Sequence, residues 1–340
     1  MELIDLRSDT VTKPTQKMKE AMIEAPVGDD VFQEDPTVQL LEHKAAHMFG
    51  FEAGLFCPSG TMTNQIAIRL HTQPQSEVIC DEKSHIYLYE GGGIAYNSFS
   101  SVRLLKGDRG RLSADMIQDH INDPDDVHAA ITSLVSLENT MNKGGGCCYD
   151  MAEIANISSV CKKNELPLHL DGARVFNAIV AKKENTQDYG KYFDTVSICL
   201  SKGLGCPVGS VLLGSNEQIK KARRVRKVMG GGMRQAGILA AAGVYALDHH
   251  VERLVEDHQR ASILGEQLKE LGFVEYVLPV ETNIVIFRLR NNGLASDFVA
   301  RLQKLGILAV PFGKHDVRFV THLDFTDEML NNCIGLLKNM

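Results

Sequence analysis

Residues 197–209 read Ser-Ile-Cys-Leu-Ser-Lys-Gly-Leu-Gly-Cys-Pro-Val-Gly, and this stretch decides how the rest of the chain is interpreted. Val196, Ile198 and Leu200 form a short apolar run, which predicts a buried strand that ends just before Lys202. Glycines and a proline follow the lysine, so its side chain is expected on a turn beyond the strand. An amine held over a pocket is placed to act as a nucleophile; the alternative is a solvated loop lysine.

A second apolar run, upstream of the first, ends in a similar way. Residues 166–170 predict a strand, and Asp171 follows it directly, three residues before Arg174. An aspartate and a lysine on neighbouring strand ends suit pyridoxal phosphate, because the lysine binds the cofactor covalently and the aspartate keeps its pyridine nitrogen protonated. The sequence therefore predicts a pyridoxal phosphate site built around Lys202 and Asp171.

Three further strand ends carry small or polar residues. Gly60 and Thr61 come between a short strand and a helix, where free backbone N–H groups and the helix dipole can hold a phosphate. His85 and Glu138 follow two other predicted strands. A lone histidine is usually structural, but this position suits an imidazole ring that stacks on a cofactor. Together these residues predict one site.

The order of the elements predicts an α/β fold. Strands and helices alternate between residues 131 and 228, which is typical of a mainly parallel sheet with helices on both faces. Ligands of such sheets bind at the carboxyl ends of the strands. The predicted units are an N-terminal arm (1–35), a large cofactor-binding domain (36–248) and a smaller α+β C-terminal domain (249–340).

Composition narrows the class of protein. The chain has 340 residues, a net charge of −7 and eight cysteines without disulfide or zinc spacing. No apolar run approaches the length of a membrane span, and the charge argues against a nucleic-acid binder. We expect a cytoplasmic enzyme without a metal. One basic run remains open between a solvated helix face and an anion site: Lys220, Lys221, Arg223, Arg224, Arg226 and Lys227.

Seven motifs carry a resemblance that spans almost the whole chain. They are LRSDTVT (6–12), GDDV (28–31), SLENT (136–140), HLDGAR (169–174), LSKGLG (200–205), GGGMRQ (230–235) and VRFVTH (317–322). In these motifs the chain resembles the low-specificity L-threonine aldolases, which are fold type I pyridoxal phosphate enzymes of the aspartate aminotransferase superfamily. The resemblance implies the same fold and cofactor.

The resemblance also implies roles for individual residues at the cofactor. Lys202 would bind the cofactor covalently, and Asp171 would pair with its ring nitrogen. Gly60 and Thr61 would bind the phosphate, and His85 would stack on the ring.

Other implied roles concern the substrate and a second subunit. Arg174 and Arg318, with Ser8, would clamp the substrate carboxylate, since a guanidinium offers two parallel donors. His128 is similar to a family histidine near the β-hydroxyl of the substrate. Lys227 and Arg234 resemble residues that reach a phosphate in the neighbouring subunit of a dimer or tetramer.

Two positions depart from the family pattern. Phe32 stands where the family usually has tyrosine, so the role of that hydroxyl is in doubt for this chain. Met141 stands where the family usually has histidine, and it is expected to alter the wall of the pocket.

The expected reaction is cleavage of L-threonine and L-allo-threonine to glycine and acetaldehyde. His85, His128 or a water held by them would take the proton of the β-hydroxyl. The alternatives are a related activity on phenylserine or serine, a transaminase or β-lyase on the same fold, and a non-catalytic binding protein.

Overall fold

The computed structural model describes residues 3–340, so the first two residues of the predicted arm lie outside it. Its strands, in chain order, are β1 (Ile4–Asp5), β2 (Ala53–Cys57), β3 (Ser76–Asp81), β4 (Ser101–Leu105), β5 (Ile131–Glu138), β6 (Leu168–Gly172), β7 (Thr195–Cys199), β8 (Ser210–Gly214), β9 (Val274–Val277), β10 (Ile284–Leu289), β11 (Ile307–Leu308), β12 (Val310–Pro311) and β13 (Asp316–Val320).

Helices cover both faces of the larger sheet and pack around the smaller one. They are α1 (Gln16–Ile23), α2 (Pro36–Phe49), α3 (Gly60–His71), α4 (His85–Leu88), α5 (Gly93–Ser98), α6 (Ala114–Gln118), α7 (Met151–Lys163), α8 (Val175–Lys182), α9 (Tyr189–Tyr192), α10 (Asn216–Val228), α11 (Gly237–His249), α12 (Leu254–Lys269), α13 (Ala295–Lys304) and α14 (Asp327–Lys338). Within residues 3–340, none of them is long and apolar enough to cross a membrane.

The large sheet has seven strands in the order β2-β8-β7-β6-β5-β3-β4. Strand β8 runs antiparallel to β2 and to β7, and the remaining pairs are parallel. Every residue of β3, β6, β7 and β8 is buried, as expected for strands that are covered by helices on both faces. The predicted α/β fold with a mainly parallel sheet is confirmed.

A second sheet forms near the C-terminus, with the antiparallel order β12-β13-β10-β9. It packs with α12, α13 and α14 around its own apolar core, which includes Phe287, Phe298 and Phe319. The small strand β1 of the arm pairs in parallel with β11, so the arm is tied to this C-terminal part. The boundaries at residues 35 and 248 remain predictions.

Local signals explain where the site-bearing helices begin. Helix α2 begins after Asp35, whose carboxylate accepts from the N–H groups of Thr37 and Val38. Helix α3 begins after Ser59, whose hydroxyl accepts from Met62 N–H. Both caps use acidic or hydroxyl side chains that are typical of this position. In α3 the cap fixes the first turn beside the carboxyl end of β2, at the edge where the site lies.

The basic run on α10 is partly buried against acidic residues of the same chain. Arg226 donates to Asp30 at 2.7 Å and to the Phe56 carbonyl at 2.6 Å, and both partners of this ion pair are almost fully buried. Arg223, which is half-buried, forms an ion pair with Glu42 at 2.5 Å. Arg223 and Arg226 therefore attach α10 to the rest of the protein. For these two residues, neither a solvated helix face nor an anion site is correct.

Replacing Asp30 with alanine is expected to destabilise the protein by about 3–5 kcal/mol, because it leaves the buried Arg226 without its anionic partner. Urea unfolding at one fixed protein concentration measures the change. Glu217→Ala is the control, because it breaks an exposed pair with Lys221 on the same helix and should change the unfolding free energy little. Equal losses in the two variants would contradict a special role for the buried pair.

Candidate active site

A cavity of about 340 Å³ opens at the carboxyl ends of the parallel strands, between the large sheet and the C-terminal sheet. Its walls carry five of the residues that the sequence analysis selected: Ser8, His85, Arg174, Lys202 and Arg318. The lining residues are Ser8, Thr10, His85, Tyr89, Asn142, Arg174, Lys202, Val310, Pro311, Phe312 and Arg318. The structure thus brings together residues from the arm, four strand ends and the C-terminal sheet.

Asp171 lies buried near the end of β6, and hydrogen bonds fix its orientation. Its Oδ1 accepts from the N–H of Ala173 at 3.1 Å, and its Oδ2 accepts from Nδ2 of Asn64 at 2.9 Å. Asn64 lies on the buried face of α3. The carboxylate is therefore held in one position by the strand end and by a neighbouring helix.

His85 is the first residue of α4, and it is surrounded by carboxylates. Its Nδ1 lies 2.9 Å from Oε1 of Glu90, and its backbone N–H donates to Glu138 at 2.7 Å. Burial alone lowers the pKa of His85, but the hydrogen bond to Glu90 and the charges of Asp171, Glu90 and Glu138 raise it overall. Burial and the charge of Asp171 raise the pKa of Glu138 to about 7.

One side-chain atom each of His85, Glu90 and Asp171 lies within 4.8 Å of the other two. A group of this kind can bind a metal ion, but amide donors from Asn64 and Gln65 already contact both carboxylates. Hydrogen bonding within the protein accounts for the cluster.

Lys202 lies on the turn after β7, and its side chain reaches the cavity. The turn is anchored by Thr12, whose hydroxyl donates to the Lys202 carbonyl at 2.9 Å. Among the described residues, no atom hydrogen-bonds to its Nζ. The backbone of Lys202 is thus anchored, while its Nζ has no hydrogen-bond partner among the described residues. A lysine that attaches a cofactor covalently needs an amine that is accessible in this way.

The first turn of α3 forms a cradle for an anion. The N–H groups of Gly60 and Thr61 have no acceptor within residues 3–340. The hydroxyl of Ser210 is buried without a hydrogen-bond partner, and it would lie 3.5 Å from a Cβ built on Gly60. Three donors at one helix N-terminus fit the phosphate of the predicted cofactor.

Arg318 is a cation without an anionic partner in the described chain. Its Nη1 donates to Asn142 at 2.8 Å and its Nη2 to the Arg7 carbonyl at 2.9 Å, while its buried Nε has no partner. Burial and the neighbouring charge of Arg174 lower the pKa of Arg318 to about 10. A carboxylate bound in the cavity would satisfy this guanidinium.

Arg174 is committed in part to another residue. Its Nε and Nη2 donate to the two carboxylate oxygens of Asp9, at 2.7 and 2.6 Å. Only Nη1 remains without a partner in the described chain. The edge of the guanidinium formed by Nε and Nη2 is therefore used on Asp9, which leaves Nη1 and the second N–H of Nη2 for a ligand.

His128 does not lie at this site within its own subunit. It is exposed, and it precedes β5, whereas Glu138 at the other end of that strand contacts His85. Eight residues of strand separate the two edges by about 25 Å. A single chain therefore does not bring His128 to this cavity, because the residue stands at the amino edge of the sheet, and its place near the β-hydroxyl of the substrate stays a prediction.

The two departures from the family pattern lie away from the cavity lining. Met141 is fully buried, and its side chain fills the space beside Gly110, so the expected change to the pocket wall is wrong. Phe32 is 70% exposed, on the surface of the arm. Neither side chain faces the cavity of its own subunit.

Lys227 and Arg234 are exposed, and they flank a loop of glycines. Arg234 donates to Asp29 of the same chain at 2.9 Å. The loop is close to the cradle, because a Cβ on Gly231 would meet Met62 in the first turn of α3. Both cations thus lie on the surface near the cradle.

Sequence reasoning missed Asn64, Glu90 and Asp9, although all three are buried polar residues beside the site. A signal for Asn64 exists in the sequence, since Thr63, Asn64 and Gln65 interrupt the apolar face of α3. For Glu90 no local pattern is evident, because its partners come from other parts of the chain.

Comparison with known proteins identifies the family of the chain. The family model of the beta-eliminating lyases matches residues 5–292. The low specificity L-threonine aldolase of Escherichia coli K12 is 44% identical over 330 residues, which cover 96% of each chain. A probable low-specificity L-threonine aldolase of Arabidopsis thaliana is 42% identical over 330 residues, covering 95% of this chain and 93% of the plant protein.

A solved structure supports the same fold. The threonine aldolase of Leishmania major superposes with a TM-score of 0.85 and covers 99% of both chains at 23% identity. At this identity the likeness concerns the fold, whereas the bacterial and plant relatives carry the family assignment. The chain belongs to the beta-eliminating lyase family and, within it, to the low-specificity L-threonine aldolases.

Proposed function

We propose that this protein is a pyridoxal phosphate-dependent lyase that cleaves L-threonine and L-allo-threonine to glycine and acetaldehyde. The observation that carries the proposal is the joint presence, around one cavity, of the free amine of Lys202 and the unpaired guanidinium of Arg318, with the buried Asp171 beside His85. A binding protein would have no need for this set. The bacterial relative supports the choice of substrate.

The donor set fits the cofactor at both of its ends. Gly60, Thr61 and Ser210 would hold the phosphate, and the buried carboxylate of Asp171 would pair with the protonated ring nitrogen. Lys202 would attach the cofactor covalently. When bound, the cofactor supplies an electron-poor ring that accepts the electrons of a bond broken at the substrate α-carbon.

The substrate carboxylate would bind to Arg318, with Ser8 and the free Nη1 of Arg174 beside it. Two-point binding by a guanidinium fixes the rotation of the amino acid as well as its position. This orientation would decide which bond at the α-carbon is presented to the electron-accepting group. Arg318 would thereby favour cleavage of the Cα–Cβ bond.

His85, or a water held by it, would take the proton of the β-hydroxyl. As the Cα–Cβ bond breaks, the hydroxyl oxygen becomes the carbonyl oxygen of acetaldehyde, and a proton is returned to the α-carbon to give glycine. The raised pKa of His85 suits a group that exchanges a proton near neutral pH. In this assignment His85 has two tasks, since its ring would also stack on the cofactor.

The proposal includes a cytoplasmic homo-oligomer, a dimer or a tetramer, with sites shared between subunits. All eight cysteines are buried and unpaired, which suits a reducing compartment. Lys227 and Arg234 would reach the phosphate of a neighbouring subunit. Val228 follows Lys227, and Phe32 lies on the segment whose Asp29 accepts from Arg234. Both side chains are exposed, at 88% and 70%, and would be covered by that subunit.

Lys202→Ala is expected to abolish multiple-turnover release of acetaldehyde from L-threonine. The purified wild-type protein should be yellow, and borohydride should fix the cofactor to the Lys202 peptide, which mass spectrometry can identify. Lys106→Ala, at an exposed lysine, is the control and should keep full activity. A protein that stays colourless when pyridoxal phosphate is added would end the proposal.

Arg318→Lys is expected to lower kcat/KM for L-threonine by about ten- to a hundredfold, because one charge remains while the two-point contact is lost. Both a higher KM and a lower kcat are expected, since the carboxylate is held less firmly and the scissile bond is no longer kept upright. Steady-state kinetics give both constants. Arg301→Lys on the exposed side of α13 serves as the matched control. Unchanged kinetics for Arg318→Lys would leave Arg174 as the carboxylate site.

Mixing Lys202→Ala subunits with Arg234→Ala subunits should restore part of the activity, if each variant is inactive alone. A mixed dimer then contains one intact site, because Lys202 and Arg234 would serve opposite sites. Subunit exchange must be verified, for instance by native mass spectrometry of an isotope-labelled partner. No recovery after confirmed exchange would mean that Arg234 serves its own subunit, as its position near the cradle also allows.

A further inference from the structure

Glu90 lies directly behind His85 and outside the cavity lining. Its side chain is fully shielded from solvent, and three side chains donate to it. Oε1 faces Nδ1 of His85 at 2.9 Å and accepts from Nδ2 of Asn64 at 2.9 Å, while Oε2 accepts from Nε2 of Gln65 at 2.7 Å. A buried carboxylate with this many side-chain donors is a fixed point in the structure.

The contact with Glu90 determines which nitrogen of His85 carries a proton. Because a carboxylate only accepts, the proton must be on Nδ1. Among the described residues, no atom hydrogen-bonds to Nε2, and the ring lines the cavity beside Lys202. Nε2 is therefore the nitrogen that is available to a ligand.

Asn64 connects this pair to Asp171. Its Nδ2 donates to Glu90 and to Asp171, each at 2.9 Å, so both amide protons are used. Its Oδ1 faces Nε2 of His169 at 3.2 Å. Burial lowers the pKa of His169 to about 4, so the ring is neutral and has one N–H. It donates through Nε2 to the amide oxygen when its Nδ1 accepts from the Thr195 hydroxyl, which lies at 3.0 Å. The amide is thus locked between two carboxylates and a histidine.

Charges face His85 from every element around it. Glu90 follows α4, Asp171 ends β6 and Glu138 ends β5, and all three are negative when ionised. Across the cavity stand the cations Arg174, Lys202 and Arg318. Of the three carboxylates, only Glu90 hydrogen-bonds to the imidazole ring, and this bond raises the pKa of His85 more than any of the three charges does.

We propose that Glu90 and Asn64 are positioning residues: Glu90 holds the Nδ1 proton of His85 so that Nε2 faces the substrate, and Asn64 ties that carboxylate to Asp171. The role of the two residues in catalysis rests on the proposed function. Neither residue lines the cavity. The orientation of His85 and that of Asp171 then depend on the same amide.

Glu90→Gln tests the first part, because it keeps the shape and an acceptor for Nδ1–H while removing the charge. The readout is the pKa of His85 in the holoenzyme, taken from the pH dependence of its modification by diethyl pyrocarbonate and followed by peptide mass spectrometry. We expect this pKa to fall by about one unit or more. Glu82→Gln, at an exposed glutamate nearby, should leave it unchanged.

The same variant should move the acidic limb of the kcat/KM profile for L-threonine to lower pH by a similar amount, since His85 loses its proton more easily. An unchanged pKa of His85 would overturn the role of Glu90. If the pKa of His85 falls but the acidic limb of the kcat/KM profile does not move, the proposed link between Glu90 and the reaction is wrong. If Glu90→Gln does not fold, Glu90→Asp keeps the charge on a shorter side chain, and it should lower kcat without moving the limb. Full activity in Glu90→Asp would refute the positioning role.

Asn64→Ala tests the second part through retention of the cofactor. Loss of the donor to Asp171 should speed the loss of pyridoxal phosphate during dialysis by about tenfold or more. Asn156→Ala, at an exposed asparagine of α7, is the control. Retention equal to that of the wild type would overturn the role of Asn64. Failure of the proposed function itself would look different, because the wild-type protein would then neither bind pyridoxal phosphate nor release acetaldehyde.

Discussion

The ion pair between Asp9 and Arg174 holds the three parts of the molecule together at the cavity. Asp9 is completely buried, and Arg174 is nearly so. Asp9 comes from the arm, Arg174 from the end of β6, and Asn283, just before β10, also donates to Asp9 at 3.2 Å. Burial alone would raise the pKa of Asp9, but the charge and hydrogen bonds of Arg174 hold it well below its usual value. Such a pair depends on both partners, because either one alone would be a buried charge.

The Asp9–Arg174 ion pair and the seven-stranded sheet together determine where the cavity lies. Parallel strands deliver their following residues to one edge, and the pair closes that edge with the arm on one side and the C-terminal sheet on the other. Arg318 then faces the cavity as a cation that forms no ion pair among the described residues, and the positive charge of Arg174 lowers its pKa more than the negative charge of Asp9 raises it. A bound anion would balance this charge. This is a physical reason for expecting a carboxylate substrate.

Strand direction explains both what the sequence predicted and where it failed. Lys202, Asp171 and His85 follow apolar runs, so their meeting at one edge could be predicted without coordinates. His128 precedes β5, so the same rule places it at the opposite edge of the sheet, although the resemblance to the family implies a position near the substrate. Glu90 and Asn64 could not be paired from the sequence, since 26 residues separate them and the second partner of Asn64 lies 107 residues away. The pairing of Arg174 with Asp9 could not be predicted from the sequence either, since 165 positions separate the two residues.

The pairing of the arm with the C-terminal part has a consequence for biosynthesis. Arg318 donates to the carbonyl of Arg7 and His322 contacts the carbonyl of Asp5, so these contacts join residues 311 and 317 positions apart. A ribosome adds roughly 5–20 residues per second, so the arm emerges roughly 15–60 seconds before its partners exist. During that time the parallel sheet can form around α3 and β5 to β8, while Asp9 still lacks Asn283. The cavity is therefore completed only after residues of β13 have left the ribosome, and a nascent chain that stalls before this point carries Lys202 without a finished cavity.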